Sequence, residues 1–465
     1  MALDFLYQRD VAALYTDMGT GKSKVMIDLI VNRGFKRVLI VCTKKGCDNW
    51  VKQFKLHDTR EEREVLNFAS FSPKRKSTLL NSLVSKGRDF PNKNSSCIIL
   101  INYESIWREP MAKAFLSKRL GLDCVICDES HRIKTPSSKC SKYLRDLGKK
   151  VPHRYLVTGT PLAENPSDIF AQYRFLAPEI FGTSLSAFRE RYENLDVDRT
   201  TKVGYRVLNE KEPYINLDEL EEKMFSCAFR IKSSIKLLRR LNIVYEFDLS
   251  PKENLAYNAL EKEGVIACQE GELSVDNILS MSLRKQQVAS GYVPILVEPD
   301  EDSEEEPYTI IKHIGTSRLD AFVELLESLP KKEPVVVFAK FREDLEGIRA
   351  WCNCNGRGYS EISGRYNEEE PWQRGETSVL GVQYNSGSES IDLTRAHYCF
   401  YYSHTHSLAL YSQSKKRIHR PGQTRKCIYY YLVGKRDKGK SIDRTIIEAL
   451  QKKQSIVDAI VKDHK

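Results

Sequence analysis

The 465-residue chain has no run of about 18 uncharged apolar residues, the length a membrane-spanning helix needs. The segment Met1 to Ala13 mixes acid and base among its apolar residues and lacks a basic stretch leading into an apolar core, so no secretory signal is read there. Paired cysteine spacing is missing as well. The twelve cysteines are scattered, which argues against a disulfide scaffold or a zinc site and for reduced thiols. Cys124 and Cys127 form a C-x-x-C, but within the apolar run Cys124-Val125-Ile126-Cys127, where a strand sends residues three apart to opposite faces; core packing is the reading. Cys352-Asn353-Cys354 has no matching His or Cys pair nearby. Internal repeats and extended low-complexity tracts are also absent. An intracellular globular protein is expected.

What the chain has is length and positive charge. It exceeds what one hydrophobic core usually organises, so two core-forming units are expected. Its composition, 41% hydrophobic and 29% charged, is ordinary for a globular protein. The formal charge of +10 suits a polyanionic partner without telling DNA from RNA.

Short apolar runs alternate with amphipathic stretches in the first third, the pattern of a parallel sheet covered by helices. Strands are expected at Val38-Cys42, Cys97-Asn102, Cys124-Asp128 and Arg154-Thr158, and a helix at Ala2-Leu6. Beyond about Glu179 the sequence turns charged, including Phe229-Arg230-Ile231-Lys232, and is read as helical. A second alternating set follows, with strands at Val335-Phe338, Tyr359-Ser363, Ser378-Gln383, Tyr398-Ser403 and Cys427-Val433. The expected organisation is α/β, with a first lobe over 1–185, a helical insertion over 186–247 and a second lobe over 248–465. The acidic run Glu298 to Glu306 is read as a solvated loop.

Leu14-Tyr15 leads into Thr16-Asp17-Met18-Gly19-Thr20-Gly21-Lys22-Ser23, and Val25, Met26, Ile27, Leu29 and Ile30 follow with helical spacing. Strand, glycine loop and helix in this order wrap backbone N–H groups around phosphate oxygens. Lys22 then neutralises the terminal phosphates and the Ser23 hydroxyl ligates magnesium. Thr16 stands where the strict G-x-x-x-x-G-K-[ST] pattern has its first glycine. A phosphate loop needs further acids, and the apolar run ending at Cys127 delivers Asp128-Glu129-Ser130-His131 at a strand's C-terminal end, where such sites sit. Asp128 is expected to hold the magnesium, and Glu129 to orient and deprotonate the attacking water. Charge developing on the phosphates calls for arginine. Gln413, Arg417 and Arg420, at i, i+4 and i+7, are expected on one face of a helix ended by Pro421-Gly422.

With these residues in place the chain resembles the Swi/Snf-type branch of superfamily-two helicase-like ATPases, in a compact single-module form found in phages and bacteria. The resemblance runs through motifs in the family's order. Leu39 to Lys44 with Asn49-Trp50, Asn102-Tyr103-Glu104, Asp128 to His131, Thr158-Gly159-Thr160-Pro161-Leu162, Val335 to Phe341, Ser386 to Thr394 and Gln413 to Gln423 each resemble one. It implies two RecA-like lobes, ATP and Mg2+ as cofactors, and double-stranded DNA gripped by its backbone with little sequence preference. It further implies that Gly19, Thr20, Gly21, Lys22, Ser23, Gly387 and Asp392 face the nucleotide, and that His131, Thr158 and Thr160 couple its state to lobe closure. Lys44, Lys45, Asn102, Tyr103, Ser363, Gly364 and Arg365 are placed toward DNA, and Ile442 to Val461 resembles a brace helix returning to the first lobe. A bacterial cytoplasm is the implied location. Three departures stand out. Tyr7-Gln8 lies too close to Lys22 to serve as the family's adenine-reading glutamine motif, so the chain is expected to begin after it. Ser388, Glu389 and Ser390 replace glycine-rich sequence, and the segment after Trp372 is short and irregular for its place.

An ATP-responsive scaffold with little turnover and a strand-separating helicase are the competing readings. Glu129 speaks against the first, since a scaffold needs no positioned base. The ending His419-Arg420-Pro421-Gly422-Gln423 favours the duplex translocase by resemblance. A small-molecule kinase or GTPase fits less well, because neither needs paired arginines from a second lobe.

Overall fold

The computed structural model describes residues 1–16, 20–58, 63–86, 96–198, 205–209, 212–231, 238–263, 265–268, 271–274, 278–297, 308–387 and 391–460. The chain divides into two compact units, Met1–Lys236 with Lys453–Lys465 and Leu237–Lys452.

The first unit is built on β1 (Val11–Thr16), β2 (Arg37–Cys42), β3 (Arg63–Asn67), β4 (Ser96–Asn102), β5 (Cys124–Asp128), β6 (His153–Thr158) and β9 (Ala228–Ile231), with β7 (Leu195–Asp198) and β8 (Tyr205–Leu208) as a separate antiparallel pair. The seven strands of the main sheet pair in parallel in the order β3-β4-β2-β5-β6-β1-β9. Helices cover both faces, and this explains why the strands read as unbroken apolar runs rather than alternating ones. In β5, Val125 and Cys127 enter one core while Cys124 and Ile126 enter the other. The C-x-x-C is therefore divided between two cores, as its spacing requires. Eleven cysteines, Cys124 and Cys127 among them, are free thiols.

Ile126 is fully buried on the central strand. Truncating it to alanine is expected to cost about 3 kcal/mol of unfolding free energy, read as a fall in the denaturant midpoint.

The stretch 186–247 departs from the helical insertion read in the sequence. It holds the β7-β8 hairpin, the helix Leu217–Phe225, and two strands that join the main sheets. Phe229-Arg230-Ile231 alternates with period two, and that periodicity prevails over the charged composition: β9 adds in parallel to β1, with Leu14 opposite Phe229.

The second unit opens with β10 (Leu241–Asp248), followed by β11 (Val265–Cys268), β12 (Gly271–Ser274), β13 (Tyr292–Val297) and β14 (Tyr308–His313). Its main sheet also takes β15 (Val335–Ala339), β16 (Tyr359–Ile362), β17 (Val379–Gln383), β18 (Tyr398–Tyr401) and β19 (Ile428–Lys435), all parallel, in the order β10-β19-β18-β15-β17-β16. Phe338, Val382, Cys399, Tyr401, Tyr429 and Tyr431 share one core. Strands β11 to β14 form a separate antiparallel sheet, an element the sequence reading did not contain. The acidic run between β13 and β14 lies outside the described residues. Two parallel sheets flanked by helices are the two RecA-like lobes expected. The closing helix, Ile442–Ile460, begins in the second unit, and its residues from Lys453 group with the first, where Ile456 and Val457 pack on the core.

Candidate active site

The chemistry-bearing residues of the first unit collect where its strands end. The helix that follows β1 starts at Lys22 (Lys22–Asn32), and Gly21 before it has φ 82°, a left-handed conformation that suits glycine. The Lys22 ammonium reaches back to donate to the Thr16 carbonyl at 3.3 Å, and Ser23 stands half-buried in the first turn. Asp17, Met18 and Gly19 lie outside the described residues.

Asp128 closes β5. Its Oδ2 accepts the indole N–H of Trp50 at 2.9 Å, its Oδ1 accepts the backbone N–H of Glu129 at 3.0 Å, and its carbonyl accepts the Tyr103 hydroxyl at 2.6 Å. Burial and the neighbouring Glu129 push its carboxyl up to about 6, against the pull of Lys22 and Trp50. Glu129 adopts φ 53° and ψ 51°, a left-handed conformation costing about 1 kcal/mol or more for a residue with a Cβ. The twist swings its side chain off the strand line toward β6.

There it meets the residues expected to couple. The Thr158 hydroxyl donates to Glu129 Oε2 at 3.3 Å and accepts the Thr160 N–H at 3.1 Å. His131 Nδ1 lies 3.0 Å from Thr158 Oγ1, 3.4 Å from Thr160 Oγ1 and 3.4 Å from Glu129 Oε2. Burial pulls the His131 pKa down to about 4, so the ring is neutral at ordinary pH and its contact with Glu129 is no ion pair. Because β6 lies between β5 and β1 in the sheet, Thr158 sits between the acid pair and the strand feeding the phosphate loop. Ser130 is held from behind, donating to Gln172 Oε1 at 2.7 Å. The structure thus brings Glu129, His131, Thr158 and Thr160 into one cluster.

The residues placed toward DNA fare unevenly. Lys44 is exposed and Lys45 half-buried in the first turn of the helix Lys44–His57, capped by Thr43, whose hydroxyl accepts the Gly46 N–H. Asn102 donates to Glu104 at 2.8 Å. Tyr103 is a correction: it is 4% exposed and its hydroxyl is spent on the Asp128 carbonyl, so its side chain belongs to the acid site. The reason is local. A short helix, Tyr103–Ile106, begins directly after β4 and turns the ring inward.

In the second unit the helix carrying Gln413 and Arg417 runs Leu408–Ile418 and ends at His419. Arg420 therefore lies beyond it, not on the same helical face. Proline disfavours helical backbone in the residue before it, so Pro421 stops the helix early. Gln413 and Arg417 are buried, and the Arg417 carbonyl accepts the Leu393 N–H. Arg420 is partly exposed, with Nη1 3.9 Å from Asp392 Oδ2, and Asp392 Oδ1 accepts the Thr394 N–H and hydroxyl at 2.9 and 2.8 Å. Gln423 buckles this corner by donating to the Thr394 and Ala396 carbonyls. Gly387 ends the short helix Tyr384–Gly387, and Ser388 to Ser390 lie outside the described residues. Ser363 Oγ accepts the Arg365 and Tyr366 N–H groups beside exposed Gly364, while the Arg365 guanidinium pairs with buried Glu361 at 3.1 Å and with Glu346. That charge is largely neutralised within the unit.

Sequence reasoning missed the hold on Asp128 by Trp50 and Tyr103. Among the described residues no three His, Cys, Asp or Glu side chains group as a metal cage. A carboxylate offers about four acceptor directions, so the two N–H donors on Asp128 leave room for further ligands. That donor set fits a magnesium ion, which is held by one or two carboxylates together with substrate phosphates and water.

Comparison with known proteins bears on both units. Residues 2–291 match the SNF2-related domain and residues 317–422 the helicase conserved C-terminal domain. The chain is 23% identical over 432 residues to the DNA repair and recombination protein RDH54 of Saccharomyces cerevisiae, an alignment covering 86% of this chain and 44% of the relative. It is 24% identical over 476 residues to the ISWI chromatin-remodeling complex ATPase ISW2 of the same yeast, over 98% of this chain and 40% of the relative. The chain spans less than half the length of these relatives. Among solved structures, the Sulfolobus solfataricus SWI2/SNF2 ATPase core in complex with dsDNA is 18% identical with a TM-score of 0.40, covering 99% of this chain and 91% of that one.

Proposed function

We propose, from the premise that this chain belongs to the SNF2-related family of helicase-like ATPases, that it couples ATP hydrolysis to movement along double-stranded DNA. The observation that carries the reading is the cluster of Glu129, His131, Thr158 and Thr160 beside Asp128 and Lys22, which is an ATP-hydrolysing half-site with its coupling residues in contact. Lys22 binds the terminal phosphates. Ser23 and Asp128 would hold a magnesium ion, which when bound would neutralise charge on the phosphate oxygens. Glu129 orients the attacking water and takes its proton, and its contact to Thr158 reports the presence of the γ-phosphate to β6. Arg417 and Arg420 are the arginines that supply positive charge for the phosphate as its bond breaks. The DNA named for the repair relative supports a DNA track for this chain.

Backbone-directed binding makes affinity depend on salt and not on sequence. Lys44 and Lys45 alone, as two phosphate contacts, are expected to weaken duplex binding about tenfold between 50 and 200 mM salt, and Lys44→Ala to lower the salt slope by about one. Fluorescence anisotropy on unrelated duplexes reads both effects. The motor itself is tested by phosphate release with and without duplex DNA, and by triplex displacement set beside fork unwinding. Stimulated release with displacement is the expected result. Unwinding without displacement supports the strand-separating helicase, and release indifferent to DNA removes the motor.

A further inference from the structure

We infer that Trp50 and Tyr103 are positioning residues for Asp128, fixing from opposite faces of the first sheet the carboxylate that reaches the divalent ion of the bound nucleotide. This rests on the role of Asp128 proposed above.

Trp50 is 1% exposed in the core that holds Ile40 and Ile126, whereas Tyr103 packs in the other core with Val41 and Cys127. Their polar tips converge on one residue. The indole N–H can only donate, and packing around a rigid bicyclic ring sets its direction, so the Asp128 carboxylate takes its orientation from the ring and not the reverse. With Oδ2 held by Trp50 and Oδ1 by the Glu129 N–H, both ends of the carboxylate plane are fixed. Tyr103 fixes the main chain beneath. The chain twists left-handed at Glu129, and the Tyr103 hydroxyl satisfies the Asp128 carbonyl at the point where the strand ends.

A buried tryptophan in this protein does not need such a partner. Trp372 is fully buried in the second unit, and its indole N–H has no hydrogen-bond partner among the described residues. The Arg395 guanidinium lies over that ring, 4.9 Å from its centroid, and the ring stays buried without an N–H partner among the described residues, so burial does not by itself call for the bond that Trp50 makes to Asp128. Magnesium demands near-ideal octahedral geometry, and a carboxylate free to rotate about its own bond meets that demand only part of the time.

The test measures ion binding rather than turnover. Mn2+ is titrated into protein saturated with a non-hydrolysable ATP analogue, and free ion is read by electron paramagnetic resonance. Trp50→Phe is expected to weaken Mn2+ binding about tenfold. Tyr103→Phe, which removes one hydroxyl, should shift it in the same direction by less. Analogue binding in the presence of EDTA should remain at the wild-type level in both. Wild-type Mn2+ affinity in the two variants overturns the inference, and so does a lowered melting temperature with Mn2+ affinity unchanged, which is packing alone. Should Trp50→Phe fail to fold, Tyr103→Phe decides by itself. Asp128→Asn runs alongside: if that variant keeps wild-type Mn2+ affinity, the role of Asp128 is wrong and not merely the hold upon it.

Discussion

Glu129→Gln is expected to lower duplex-stimulated phosphate release about a thousandfold while leaving ATP binding intact, because it removes a general base and little else. The amide is the same size as the carboxylate, and its oxygen can still accept the Thr158 hydroxyl, now at 3.3 Å, so the contact toward β6 is preserved. The neutral His131 cannot substitute: burial holds its pKa near 4, and its ring is already engaged with Thr158. The variant should therefore fill with ATP and stall. Nucleotide binding by a fluorescent ATP analogue and phosphate release by a coupled assay separate the two properties. Unchanged release in Glu129→Gln would remove the catalytic assignment and leave the nucleotide-responsive scaffold as the better reading.

The second large effect is expected at Arg420. Its guanidinium is partly exposed, and its Asp392 neighbour at 3.9 Å is beyond hydrogen-bond reach, so little in the second unit depends on it. Arg420→Ala should lower kcat about a thousandfold, the scale of a lost arginine finger. Its unfolding free energy should fall by no more than about 1 kcal/mol, since the side chain is partly exposed and makes no hydrogen bond to Asp392. Arg417 offers a contrast, since it is only 6% exposed on the helix and its truncation removes buried side-chain packing. Arg417→Ala should lose activity and melt earlier. Measuring kcat and the melting temperature together distinguishes the two arginines, and a retained kcat in Arg420→Ala would remove the finger from that position.

Much of the parallel scaffold was legible because its strands are buried on both faces and so appear as apolar runs. The expected Val335-Phe338, for instance, extends by one residue to Val335–Ala339. The phosphate loop and the acid pair are read from local patterns of strand, turn and helix, and the helix start at Lys22 and the strand end at Asp128 fall where those patterns put them. What escaped was non-local or marginal. Trp50 and Asp128 are 78 residues apart, and no spacing announces a bond formed across a parallel sheet. Strand β10 pairs with β19 from nearly two hundred residues away and carries mixed polar and apolar residues, as an edge strand does. The antiparallel β11 to β14 sheet is made of short strands flanking charged sequence, too brief for periodicity to establish. The helix bearing Arg417 was extended past its end because the spacing of Gln413, Arg417 and Arg420 outweighed the effect of Pro421 on its predecessor.

The left-handed backbone at Glu129 also bears on how this site withstands mutation. A codon for glutamate becomes one for glycine by a single base change, and glycine is the residue this conformation accepts most readily. A glycine there would relieve the backbone and remove the proposed base in a single change. Selection on stability alone would not remove such a chain; only selection on activity would. An acid stands at that position against the preference of its own backbone, so at Glu129 the proposed base and the fold make opposite demands.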